Sequence, residues 1–240
     1  MKIQSISSQI ISCLIGLSVA TFSNNTLNAQ DDPVINYLQQ TGDYADLYNG
    51  RLEAVYNIVR YKNFPYYFNS DYTEASIVYR NIIYPNQKVR IDLYKEQLIL
   101  LPPEKKLGII VNFQNIEKIM MYNQTFVRLI PPKDSGLKPG FYIQLLDKEK
   151  MKLYRKEYFD IQIEETIYYR FKNGIRFYLF YNNQYYSVKN KGSFSKLFPQ
   201  NKKQINKFVK DHKLDFKQHP NESFTSLAGF CEELNNSNNK

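Results

Sequence analysis

Between Leu47 and Lys189 the chain alternates apolar and polar residues with a period of two, and that pattern decides its fold class. In Val89-Arg90-Ile91-Asp92-Leu93 the aliphatic residues fall on one side of an extended chain and the two charges on the other, the mark of a half-buried strand. Lys95-Glu96-Gln97 makes a polar break, and Leu98 to Leu101 read as the return strand. Pro102-Pro103 ends it, because proline gives no N–H to a ladder. Further strands are predicted over 109–113, 125–130, 141–146 and 151–158, the last two joined through Asp147 to Lys150. Asn173-Gly174 and Asn182-Asn183 both suit a two-residue type I′ turn, whose central residues need positive φ. Together they predict a three-stranded meander over 167–172, 175–181 and 184–189. One face of it would carry Tyr168, Phe177, Leu179, Tyr186 and Val188, and the other Tyr169, Phe171, Tyr178, Phe180 and Tyr185.

After Gly192 the period changes. Ile205, Phe208, Val209 and His212 have the spacing of an amphipathic helix, and a second helix is expected from Asn221, with Phe224, Leu227, Ala228 and Cys231 on its apolar stripe. The fold class is therefore mainly β (α+β): an antiparallel meander sheet or half-barrel with two C-terminal helices packed on it. The β domain spans 47–190, the helices 191–234 belong to the same domain, and 235–240 read as a disordered tail.

Residues 1–29 have the layout of a secretory signal peptide: Lys2, an apolar run from Ile10 to Phe22, and Ala29 before the cleavage point. The run is shorter than the ~20 residues that span a bilayer. Ile10-Ile11-Ser12-Cys13 also looks like a lipoprotein box, but almost no apolar segment precedes Cys13, so an acyl anchor there is the weaker reading. Residues 30–46 would follow as a loosely held lead-in. The location implied is export to the periplasm, the outer membrane or beyond. Cleavage removes Cys13 and leaves Cys231 alone, so no intramolecular disulfide can form and the core must hold the fold.

The net charge of +9 is concentrated near the C-terminus. Between Tyr185 and Pro220 nine lysines face only Asp211 and Asp215. Of these, Lys202, Lys203, Lys207, Lys210 and Lys213 lie along the first predicted helix, where they suit contact with an anionic membrane surface or glycan. A solvated helix face is the plainer account of them. Nucleic acid is excluded as a partner by export and by the use of lysine in place of arginine, the better reader of phosphate geometry.

Catalytic chemistry finds no foothold. His212, His219 and Cys231 cannot supply the four ligands of a structural zinc site, and no cofactor motif is present. Glu164-Glu165 is the one paired acid, but neighbours on a strand point to opposite faces. There is no GxSxG elbow, phosphate-binding loop or dinucleotide fingerprint. An outer-membrane barrel is disfavoured by short strands that carry lysine and arginine and by a helical C-terminus. The aromatic content, 21 Tyr and 16 Phe without a tryptophan, fits rings packed between layers better than a row of sugar-stacking platforms.

Several segments in order resemble a family of exported bacterial cell-envelope proteins that carries no assigned activity. The matching pieces are LYNGR at Leu47, FPYYF at Phe64, ASIVYRNIIYPNQKVRIDLYKEQLIL from Ala75, GFYIQLLDKEKMKLYRK from Gly140 and YYSVKNKGSFSKLFPQNKKQINKFVKDHKL from Tyr185. Asp92 falls where that family tends to place an aspartate, whereas Tyr72, Ala75 and Asn81 replace its usual tryptophan and glycines. The resemblance implies no site residues. The expected function is that of a non-catalytic envelope protein binding or scaffolding a protein or envelope component through an aromatic sheet face, with Tyr168, Tyr169, Tyr178, Tyr185 and Tyr186 as candidate contacts. Second and third readings are a carrier of a lipid or other hydrophobic ligand and a glycan binder or hydrolase.

Overall fold

A computed structural model of the chain describes residues 33–41, 45–164 and 167–237. The expected signal peptide, Cys13, Glu165 and residues 238–240 lie outside them. The described chain is an antiparallel sheet of eleven strands with helices packed on it. In chain order these are β1 (Arg51–Leu52), β2 (Thr73–Tyr79), β3 (Ile82–Asp92), β4 (Gln97–Leu100), β5 (Ile109–Ile110), β6 (Ile116–Met121), β7 (Gln124–Leu129), β8 (Gly140–Asp147), β9 (Met151–Glu164), β10 (Tyr168–Tyr181) and β11 (Gln184–Val188). Their order across the sheet is β1-β5-β4-β3-β2-β6-β7-β8-β9-β10-β11, open in its ladder.

Three tight hairpins set most of this topology. Arg80-Asn81, Tyr122-Asn123 and Asn182-Asn183 each place two residues at positive φ between paired strands, and asparagine stands second in every one because it tolerates the left-handed region. Val89, Ile91 and Leu93 are buried on the core side of β3, where Ile77, Tyr79, Phe126, Phe141 and Ile143 from β2, β7 and β8 meet them. The opposite side of β3 differs from the half-buried expectation. Asp92 is also buried, and Arg90 is largely covered, because the segment 53–72 crosses over them as a strap.

Asn173-Gly174 is not a turn. β10 runs straight through it, with Gly174 opposite Tyr158 in an unbroken register. The glycine serves a different purpose: a β-carbon there would run into the Tyr158 ring, which lies across the strand. The guanidinium of Arg176, two residues on, sits 4.6 Å from the same ring. The chain reverses instead between Glu164 and Tyr168, and β9 replaces the first arm of the expected meander. The second arm is as read, with Phe177 opposite Val188 and Leu179 opposite Tyr186. The continuous strand also reassigns the faces. By alternation Tyr168 shares a side with Tyr178, while Tyr169 and Phe171 share a side with Phe177 and Leu179.

Three helices, not two, follow the sheet: α2 (Lys191–Leu197), α3 (Lys202–Asp211) and α4 (Pro220–Ser237), α1 being the N-terminal Pro33–Thr41. The side chain of Asn190 caps α2 by accepting from Gly192 N–H at 2.8 Å, and α4 carries helix through Asn235 to Ser237, where a tail was expected. Ile205, Phe224, Leu227, Ala228 and Cys231 are buried against Met151, Leu153, Phe177 and Leu179. Phe224 and Phe177 meet at 4.4 Å between ring centroids, and full burial of one such ring is worth about 1.5–3 kcal/mol. The expected loose lead-in is helix α1 followed by a 3₁₀ turn at Asp46–Tyr48 that buries Leu47. Among the described residues no helix is long and apolar enough to cross a membrane.

Burial holds the hydroxyls of Tyr56, Tyr66, Tyr142 and Tyr154 protonated well above their ordinary value of 10.0, and pushes Tyr72 up to about 12. Above pH 10 the unfolded chain releases these protons while the native one keeps them, so stability must fall as pH rises through this range. A spectrophotometric titration of tyrosinate is expected to show exposed rings ionising first and this buried set only in a step coincident with loss of near-ultraviolet dichroism. A single smooth titration with structure intact would contradict the burial.

Candidate functional site

The five tyrosines singled out in the sequence do not form one platform. Tyr178 is buried on β10 among Val127, Leu137, Tyr142 and Tyr154, with half-buried Tyr185 beside them. Tyr142 and Tyr178 meet edge-on at 6.1 Å, so these rings pack with one another as masonry. Tyr186 lies on the helix side of β11, opposite Leu179. Tyr168 and Tyr169 sit at the far end of β10, where the Lys62 ammonium caps the Tyr168 ring at 3.6 Å and Tyr61 contacts Tyr169 at 5.2 Å. Lys202, Lys203, Lys207, Lys210 and Lys213 are all exposed on or just beyond α3, with Lys207 3.6 Å from Asp211.

The polar chemistry sits elsewhere, under the strap. Arg90 Nη2 donates to both Glu53 oxygens at 2.6 and 2.7 Å, and the hydroxyls of Tyr66 and Tyr72 donate to the same carboxylate at 3.0 and 3.1 Å. The guanidinium also stacks on both of those rings, at 4.2 and 4.5 Å. Two residues along β3, Asp92 Oδ2 accepts from the Tyr56 hydroxyl at 2.8 Å while Oδ1 accepts the N–H groups of Tyr94 and Lys95. Burial raises the Asp92 pKa, and these donors oppose the rise. Glu96, at the β3–β4 turn, accepts from the Lys156 ammonium at 2.6 Å and from Phe141 N–H at 2.8 Å, and Gly140 leaves the room for that carboxylate. Each of these three acids is saturated by fixed donors, so they act as latches and not as general acids or bases. Glu164 is tied to Arg170 at 2.6 Å on the surface.

The strap carries the latch partners to β10 as well. Lys62 N–H donates to Tyr169 O and Tyr169 N–H to Arg60 O, and the Asn63 amide exchanges two 2.7 Å bonds with the backbone of Phe171. These bonds show that odd-numbered residues of β10 direct their backbone groups away from β9. β11 takes up the same edge again at Phe177. Between them, the N–H and C=O of Asn173 and Ile175 have no partner among the described residues. This open edge runs into a cleft of about 640 Å³, walled by Leu137, Tyr158 and Tyr178 on one side and Phe177, Phe216 and Phe224 on the other, with Arg176 and Lys189 among its lining residues.

Cys231 is buried on α4 and burial pushes its thiol up to about 12, which leaves it inert. Among the described residues no group of His, Cys, Asp and Glu could hold a metal ion. Set against protein-family models, curated proteins and solved structures, the chain gives no match. Of the expected contacts, then, the structure joins Tyr178 and Tyr185 and separates the rest. The open edge escaped sequence reasoning because Asn173-Gly174 imitates a hairpin turn. The latches escaped it because Glu53 and Arg90 are distant in sequence.

Glu53 is 4% exposed and Arg90 13% along their side chains. Replacing Glu53→Ala strands the guanidinium and is expected to lower unfolding free energy by roughly 3–5 kcal/mol in urea titration. Asp46→Ala, which breaks the exposed pair with Arg80, should cost less than about 1 kcal/mol. Equal small losses would show that the latch contributes little.

Proposed function

We propose that the chain is a non-catalytic exported cell-envelope protein that holds an extended segment of a partner against the open edge of β10. The observation that carries this reading is the pair of residues, Asn173 and Ile175, whose backbone groups face outward between two segments that already pair with the same edge. Natural sheets blunt or cover free edges, and an added strand is a common mode of peptide recognition. The strap and β11 occupy either side of the gap, so the edge is straight and ready to pair. The adjoining aromatic cleft supplies a place for one side chain of the partner, and Lys172, Arg176 and Lys189 favour a segment with acidic residues. Export and membership of the resembling envelope family rest on the N-terminal sequence and the shared motifs.

Neither of the other readings gains such support. A hydrophobic cargo would need room on the core side of the sheet, which Tyr79, Tyr84, Phe126 and Phe141 fill. Glycoside cleavage would need two free carboxylates facing a cleft, whereas Glu53 and Asp92 are fully bonded.

A photo-crosslinking residue placed at Ile175 in the protein expressed in its own host is expected to trap one defined adduct. Probes at Ile83 and Phe68, each at least as exposed as Ile175, should trap none. No adduct at 175, or the same adducts at all three positions, would overturn the reading.

A further inference from the structure

The turn at the start of the strap departs from ordinary turn chemistry. Arg60 N–H and Tyr61 N–H both donate to Asn57 O at 3.0 Å, and Val59 N–H donates to the Asn57 side chain at 2.9 Å. The bonds hold a tight turn whose apex is Ile58-Val59, exposed by 78% and 72%. Turn apices favour Gly, Asn, Asp and Pro, and two β-branched aliphatics there gain nothing from the fold. Val55 beside them is also exposed.

A second apolar element stands next to this apex. Across β10 the backbone ladder runs from Tyr61 to Tyr169 to Ile163, so the three residues are lateral neighbours, and Ile163 and Ile167 are 68% and 62% exposed. Tyr61 and Tyr169 lie half-buried just behind the aliphatic rim, as rings do at the boundary between apolar and wet surroundings. Near the apex Arg51 of β1 and the strap residues Arg60 and Lys62 face solvent, while Glu53 is turned inward to Arg90 and the strap's other acid, exposed Asp71, lies at its far end. Below the rim, Lys95 and Arg60 line a cleft of about 480 Å³ together with Tyr56, Tyr61 and Tyr169. On the hairpin, Arg170 pairs with Glu164.

From this arrangement we infer that the apex formed by Val55, Ile58, Val59, Ile163 and Ile167 inserts shallowly into a lipid surface bearing anionic headgroups. Exposed aliphatics of this kind enter the acyl boundary, the tyrosines lie at headgroup level, and Arg60 and Lys62 meet lipid phosphates. The apex is independent of the β10 cleft and of α3. From Tyr169, behind the apex, to Ile175, at the cleft, β10 advances six residues, about 20 Å at ~3.3 Å each.

The mature full-length protein is tested by co-sedimentation with vesicles of phosphatidylcholine, with and without phosphatidylglycerol, at low and high salt. Wild type should bind the anionic vesicles and should weaken with salt. The double variant Ile58→Ser, Val59→Ser should bind them at least about tenfold more weakly with unchanged thermal unfolding. Arg60→Glu should lose the preference for phosphatidylglycerol. Charge reversal of Lys202, Lys203, Lys207, Lys210 and Lys213 should leave binding intact. The inference is overturned if wild type binds neither vesicle, if the serine variant binds as wild type does, or if reversal on α3 alone abolishes binding. The photo-crosslink at Ile175 is unaffected by any of these outcomes, so the two readings fail separately.

Discussion

The fold depends on two charges that β3 cannot solvate. Arg90 and Asp92 project from the side of the strand away from the core, where Asp92 is buried and Arg90 largely covered. A buried ion is costly unless it is paired and fully hydrogen-bonded. Of their side-chain partners, Glu53, Tyr56, Tyr66 and Tyr72 come from one stretch of about twenty residues, and Lys95, 3.9 Å from Asp92, comes from the β3–β4 turn. Seating the strap and neutralising β3 are therefore a single event. The same strap then hydrogen-bonds to Tyr169 and Phe171, so the polar latch on β3 decides where the far half of the β9–β10 hairpin lies.

The sheet, its antiparallel pairing and the helical layer were legible because each rests on local pattern. Val89, Ile91 and Leu93 alternate, Asn182-Asn183 turns, and Ile205, Phe224 and Cys231 recur at helical spacing. What escaped the sequence was set by contacts over long separations. Gly174 reads as a turn residue because nothing local reveals the Tyr158 ring that crosses it. Residues 30–46 read as loose because Val34 finds its packing against strands far along the chain. Tyr178 and Tyr185 were placed together correctly, but as packing partners of Tyr142 and Tyr154. The exposed row of rings that a ligand platform would need is absent among the described residues. The lysines of α3 are exposed, while the apolar apex at Ile58-Val59 has no local signal, since exposure of an aliphatic pair cannot be read from sequence.

Both surfaces proposed for interaction belong to the β9–β10 hairpin and its strap. The open edge at Asn173 and Ile175 exists because the strap leaves β10 after Phe171 and β11 joins it only at Phe177. The aliphatic apex exists because the strap must turn at Asn57 to travel from β3 to β10. A protein held at a lipid surface by one end of this hairpin would present the edge of the same hairpin sideways, open to an extended chain. Function on this account arises from how the gap between β3 and β10 is bridged.

Native-state hydrogen exchange tests that bridging most directly. The amides of Lys62 and Tyr169, on the β10 side, and of Tyr67 and Leu93, on the β3 side, should exchange only through openings close in free energy to global unfolding. Exchange of these four at the rate of an exposed loop, while Val89 and Leu179 remain protected, would mean that the strap does not join the two halves.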